Sequence, residues 1–213
     1  MLMFFMTSAQ NAIQTENALT GNFPSEWDIV EAGDETIQGY ATDISVNRGN
    51  RINFKIKTDA NAYTIQIYRL GYYDGRGARK WADAVVSATL PQTQPDPIED
   101  PVTGIADYGN WAVSGYWDVP ADAVSGYYIA LLTRSNGGKS HIPFIVRDDA
   151  STSDLFFQAS DATWQAYNNY GGNSLYNGAT SYPQGRAVKV SYNRPFRTRA
   201  GGGGGGPEER LVV

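Results

Sequence analysis

One stretch of this sequence, Asp161-Ala162-Thr163-Trp164-Gln165-Ala166-Tyr167-Asn168-Asn169-Tyr170-Gly171-Gly172-Asn173-Ser174-Leu175-Tyr176, gathers the side chains best suited to chemistry. Its phenols are hard oxygen donors once ionised, its carboxamides bond in both directions, and its glycines let backbone approach a ligand closely. Two readings stand side by side. The stretch is either a ligand-bearing loop or a set of tyrosines that pack and cap near glycines, which is the commoner use of such residues. Gly171-Gly172 falls short of a phosphate-binding loop, whose longer pattern is missing.

A second cluster, Tyr68-Arg69-Leu70-Gly71-Tyr72-Tyr73-Asp74-Gly75-Arg76-Gly77-Ala78-Arg79, places aromatics and guanidiniums on a hairpin tip. It suits a sugar or partner surface, but a rigid turn with cation-π stacking is the favoured reading. His141 alternates with Ile142, Phe144 and Val146 on a strand and has no carboxylate or nucleophile beside it, so it is read as a strand-face histidine. Ser140 lacks the Gly-x-Ser-x-Gly setting of a serine hydrolase.

The remaining chemistry is bounded by composition. The chain has 213 residues, no cysteine and one histidine, which removes disulfides, thiolate catalysis and zinc-thiolate or His-rich metal sites. Hydrophobic residues make up 41%, charged residues 18% and aromatics 13%, the profile of a folded chain. The net charge of -5 is spread without basic or acidic blocks, so neither nucleic acid nor an anionic membrane has an electrostatic footprint here. No apolar run approaches the ~18 residues of a membrane span. Met1-Leu2-Met3-Phe4-Phe5-Met6 resembles the stub of a secretory leader, without a basic start or a full apolar run, so residues 1–22 are read as an N-terminal extension. A true leader there would imply a secreted or periplasmic protein; otherwise the chain is cytoplasmic.

The elements that position these residues are mostly strands. In Arg51-Ile52-Asn53-Phe54-Lys55-Ile56-Lys57 every second side chain is apolar, a period of 2. Tyr63, Ile65 and Ile67 repeat it, as do Tyr127, Ile129 and Leu131, then Ile142, Phe144 and Val146. Further strands are expected within residues 38–46 and 111–119. Turn residues at Asn47-Arg48-Gly49-Asn50, Asp74-Gly75-Arg76-Gly77 and Asn136-Gly137-Gly138 mark the reversals. Residues 23–149 therefore read as an immunoglobulin-like β-sandwich of about seven strands. Residues 90–102, with Pro91, Pro95, Pro97 and Pro101, are expected to be an exposed loop outside any ladder. Asp154-Leu155-Phe156-Phe157-Gln158 reads as a strand of a sheet buried on both faces, opening a second domain over residues 150–199. Residues 186–192 read as another strand, and residues 200–213 as a glycine-rich tail.

Four motifs carry a family resemblance: Ile37-Gln38-Gly39-Tyr40-Ala41-Thr42-Asp43-Ile44-Ser45, Ile67-Tyr68-Arg69-Leu70-Gly71-Tyr72-Tyr73, Ser140-His141-Ile142-Pro143-Phe144-Ile145-Val146-Arg147-Asp148-Asp149 and Thr163-Trp164-Gln165-Ala166-Tyr167-Asn168. In order and spacing the chain resembles N,N-dimethylformamidase large (beta) subunit-like proteins from about residue 15 to residue 199. The resemblance implies a sandwich followed by a flavodoxin-like α/β domain related to glutamine amidotransferases. It also implies amide hydrolysis by a mononuclear iron held by two tyrosines and a glutamate, with a small amide as substrate. Such iron would polarise the amide carbonyl and acidify a bound water.

Carried over residue by residue, only the first tyrosine has a counterpart: Tyr167, with Tyr170 as the alternative register. The family's Glu-Tyr-Pro and His-Asp-Glu-Tyr-Trp segments do not occur, and Asn193-Arg194-Pro195-Phe196 leads instead into the glycines of residues 201–206. The expectation is a truncated family protein whose α/β domain is represented by its first elements, which holds no iron as given and self-associates through that incomplete domain. A binding or assembly module built on the sandwich is the alternative.

Overall fold

The computed structural model describes residues 11–178 and 185–197. In chain order they form helices α1 (Ala12–Asn17) and α2 (Pro24–Trp27), then strands β1 (Ile37–Ala41), β2 (Ser45–Asn47), β3 (Arg51–Thr58), β4 (Tyr63–Leu70), β5 (Ala78–Asp83), β6 (Val85–Val86), β7 (Ile98–Asp100), β8 (Ile105–Asp107), β9 (Gly115–Asp118), β10 (Gly126–Arg134) and β11 (Lys139–Arg147), and helix α3 (Asp161–Tyr167). The leader-like residues 1–6 and the glycine-rich tail lie outside the described residues.

The protein is mainly β. One sheet has the order β1-β3-β9-β6, a second the order β2-β11-β10-β4-β5, and β7 pairs with β8. Neighbouring strands are antiparallel except β2, which runs parallel to β11. The two larger sheets face each other across one apolar core. Ile52, Phe54 and Ile56 of β3 meet Ile65 and Ile67 of β4 and Ile142, Phe144 and Val146 of β11 there, as the period-2 pattern predicts. Phe54 and Phe144 meet edge to face at 5.8 Å, and Trp117 lies 5.7 Å from Tyr128, geometries that add to area burial. The expected reversals are in place, with Gly49, Gly75, Gly77 and Gly137 in the left-handed region at φ +82°, +76°, +81° and +91°.

Strand β10 departs from the expected parity. Tyr128, Ala130 and Leu132 face the central core, while Ile129 and Leu131 are buried on the opposite face beneath Ile29 and Trp27. A strand covered on both sides loses its alternation, so Tyr127, Ile129 and Leu131 looked like the core face without being it. His141, on that outer face of β11, is buried too, its Nε2 2.6 Å from the carbonyl oxygen of Trp27.

The proline-rich segment is not a bare loop. Gln92 bridges to Thr58, β7 pairs with β8, and the Gln94 side chain donates to the Ile56 and Ala112 carbonyls. Prolines exclude ladder donors only at their own positions, and residues 98–100 contain none.

Residues 154–158 form no strand. Leu155, Phe156 and Phe157 are 90%, 89% and 75% exposed, and no described strand pairs with them. Residues 186–192 are irregular rather than a strand. They lie along the sandwich, where the Val188 amide donates to the Thr103 carbonyl and the Tyr108 amide to that of Asn193.

Candidate functional site

The stretch flagged for its chemistry is half helix. Ala162, Gln165 and Ala166 are good helix formers, and Asp161 complements the dipole of the first turn of α3. The helix stops where Asn168 turns extended, its amide still bonded to the Trp164 carbonyl. Gly171 and Gly172, at φ +83° and +92°, turn the chain back. A side chain at Gly171 would begin 2.8 Å from the Tyr108 hydroxyl, so the reversal requires glycine there.

Arg194 is the keystone of this loop. It is buried, and its guanidinium donates to the carbonyls of Gln165 (2.8 Å), Tyr170 (3.3 Å) and Asn173 (2.8 Å) and to Gln165 Oε1 (3.3 Å). Every one of these partners is neutral, and burial pulls its pKa down to about 10. Asn168 Nδ2 donates to the Pro195 carbonyl and Asn173 Nδ2 to that of Gly104. Polar side chains, together with the packing of Tyr170 on a small aromatic cluster and of Trp164 on Tyr127, thus hold α3, its loop and residues 193–196 on the sandwich.

The candidate phenols end in different settings. Tyr167 is 47% exposed and lies flat on Tyr176. Tyr170 packs edge-on against Tyr108 at 5.2 Å, and burial drives its pKa far above the ordinary phenol value, so it stays protonated. Asp161 accepts from the Tyr192 hydroxyl at 2.7 Å. It sits at the opposite end of α3 from Tyr167, roughly 9 Å away at 1.5 Å per residue. Among the described residues no three His, Cys, Asp or Glu side chains converge on a point where a metal could bind. Of the iron donors carried over from the family, the described residues hold Tyr167, exposed on α3, and its alternative Tyr170, kept protonated by burial.

The hairpin tip is a rigid turn. Tyr73 and Asp74 take left-handed backbone at φ 44° and 58°. Arg69 and Arg79 are tied to Glu16 and Tyr73, and Arg76 lies 4.3 Å over the Phe23 ring. A cavity of about 700 Å³ beside α2 is lined by Asp28, Val30, Asp34 and Lys139, none of them among the flagged residues. Sequence reasoning missed the roles of Arg194 and Glu16. Arg194 was visible only as part of a motif, and Glu16 stood in a segment read as an extension.

These observations define a mainly β protein of two facing sheets with a polar, tyrosine-bearing lobe folded over one side. The chain belongs to the N,N-dimethylformamidase beta subunit-like family, whose C-terminal model matches residues 64–211. No curated protein matches it. Among solved structures it is similar to an uncharacterized protein from Bacillus anthracis str. Ames, with 10% identity, 67% of this chain and 98% of that one covered, and a TM-score of 0.30. It is also similar to domain 1 of VCBP3 from Branchiostoma floridae, with 10% identity, 56% and 100% covered, and a TM-score of 0.32.

Proposed function

We propose that these residues are the structural frame of an amide-hydrolysing protein acting on small formamides, and that they carry Tyr167 as one iron donor without forming an active site alone. The observation that carries this reading is the family match over residues 64–211, set against Tyr167 as the donor carried over from the family, exposed at the end of α3. Metal affinity and activation of a bound water need several preoriented ligands, which a lone phenolate does not replace.

An immunoglobulin-like topology for the frame is supported by the strand order. Lettered in sequence, β1-β3-β9-β6 corresponds to A-B-E-D and β2-β11-β10-β4-β5 to A′-G-F-C-C′. Near the start of the F-like β10, Tyr128 donates its hydroxyl to the Val124 carbonyl at 2.7 Å, in the manner of a tyrosine corner. Ala130 then occupies the place two residues on where antibody domains carry cysteine. For residues 150–199, the flavodoxin-like reading rests on the family relation, since α3 is the regular element described there.

The test is to load the purified protein with ferric iron. The expected result is no tyrosinate-to-iron charge-transfer band and no dimethylamine released from dimethylformamide. Stoichiometric iron that is lost in Tyr167→Phe, together with turnover, would overturn the reading. The exposed Leu155, Phe156 and Phe157 favour a second reading, an assembly module. Concentration-dependent sedimentation abolished by Phe156→Ser would select it.

A further inference from the structure

Tyr167 and Tyr176 are the one ring pair among the described residues stacked face to face, with centroids 4.3 Å apart and planes 8° from parallel. Both are accessible, at 47% and 59%. Their closeness is built into the backbone. The amide of Leu175, next to Tyr176, donates to the carbonyl of Ala166, next to Tyr167, at 3.0 Å. Ser174 Oγ accepts from the amides of Tyr176 (3.2 Å) and Asn177 (2.9 Å), and Arg186 donates to the Leu175 carbonyl at 3.0 Å. The other exposed tyrosines among the described residues, Tyr72 and Tyr192, have no described tyrosine stacked on them.

We infer that Tyr167 and Tyr176 form an oxidative modification site, at which a peroxide acting through a haem peroxidase joins the two rings as dityrosine. Each phenol gives up one electron and its hydroxyl proton, leaving a phenoxyl radical with spin on the carbons ortho to oxygen. Two ortho carbons form the new carbon-carbon bond, and each then transfers its hydrogen to its own oxygen, restoring both phenols. The electrons and protons lost from the pair convert one hydrogen peroxide into two waters. Short-lived radicals couple with whatever partner is already in contact, so a backbone-held pair outcompetes encounter between separate molecules. The new bond would staple the end of α3 to the loop that follows it, shrinking the conformations open to that loop. The site needs no metal in the protein, so its test is independent of the iron reading.

The experiment is treatment of dilute full chain with a haem peroxidase and limiting hydrogen peroxide, followed by dityrosine fluorescence, gel electrophoresis and mass spectrometry of the digest. The expected product is a monomer carrying a single dominant link between residues 167 and 176, lighter by two hydrogens. Tyr176→Phe, which keeps the ring and hence the stack, should lower the dityrosine signal at least tenfold, and Tyr72→Phe should leave it unchanged. Links spread over other tyrosines, mainly intermolecular dimers, an undiminished signal in Tyr176→Phe, or no dityrosine at all would each overturn the inference. Circular dichroism melts of both variants verify that they share the parent fold.

Discussion

Arg79 grips Glu16 at 2.6 Å, and this contact fastens α1 to the edge strand of the five-stranded sheet. Glu16 Oε1 also accepts from Arg79 Nε at 2.7 Å and from the Tyr73 hydroxyl at 2.9 Å. The buried Arg69 in turn donates to Tyr73 (2.9 Å) and Asn17 (3.0 Å). A single carboxylate thus bonds one guanidinium directly and is linked to a second through the Tyr73 hydroxyl in a largely dry site, where removing one partner costs more than the pair is worth in isolation.

Glu16→Gln should therefore destabilise the protein by about 3 kcal/mol, the low end for a buried pair because Arg79 keeps part of its surface in water. Urea unfolding measures this. A chain beginning at residue 23 should melt well below one beginning at residue 11, since it lacks α1 altogether. Equal midpoints would show that the network contributes nothing.

Phe54→Ala should cost about 3 to 5 kcal/mol, because the fully buried ring leaves a cavity between the two sheets opposite Phe144. Lys55 points the other way and gives one hydrogen bond, 2.8 Å to the Gly109 carbonyl, so Lys55→Ala should cost about 1 kcal/mol or less. The comparison reads the register of β3 directly, since a one-residue slip would exchange the two effects.

Much of the frame was legible because period-2 burial writes itself into sequence: Ile52, Phe54 and Ile56, and likewise Ile142, Phe144 and Val146, could hardly alternate so and lie elsewhere. Three features stayed hidden. Strand β10 is covered on both faces by elements distant in sequence, so its alternation carried no parity signal. Residues 154–158 are apolar yet exposed, and apolarity alone cannot tell a buried strand from a segment awaiting cover. The polar lobe was hidden for another reason. Its order comes from a charged residue bonding backbone carbonyls, a use of arginine that side-chain pattern does not reveal.

That lobe gives a direct test. Arg194→Lys keeps the charge but cannot span the carbonyls of Gln165, Tyr170 and Asn173 that the planar fork reaches together. It should cost about 3 kcal/mol as buried acceptors lose donors. The loss should be local. Hydrogen exchange in residues 165–176 should accelerate, while β3, β4, β10 and β11 keep their protection. Uniform acceleration across the sheets would mean that the lobe and the frame unfold as one unit.

Tyr63 joins packing to pH. Its ring lies in the central core, and its hydroxyl is buried without a hydrogen-bond partner among the described residues. Tyr63→Phe removes an unsatisfied polar atom and keeps the ring, so it should leave stability unchanged or raise it by up to about 1 kcal/mol at neutral pH. Burial also pushes the Tyr63 phenol up to about 12, and that of Tyr73 to about 12 as well. An unfolded tyrosine ionises at pH ~10. Below that pH both states hold the proton and the stability is intact. As pH rises from about 10 towards 12, the unfolded chain sheds phenolic protons that the folded chain retains, so stability falls through this window. Thermal melts at stepped alkaline pH should show that decline in the parent chain and a shallower one in Tyr63→Phe. A neutral-pH melting temperature clearly lower in Tyr63→Phe would mean that the hydroxyl has a partner after all, most simply a buried water.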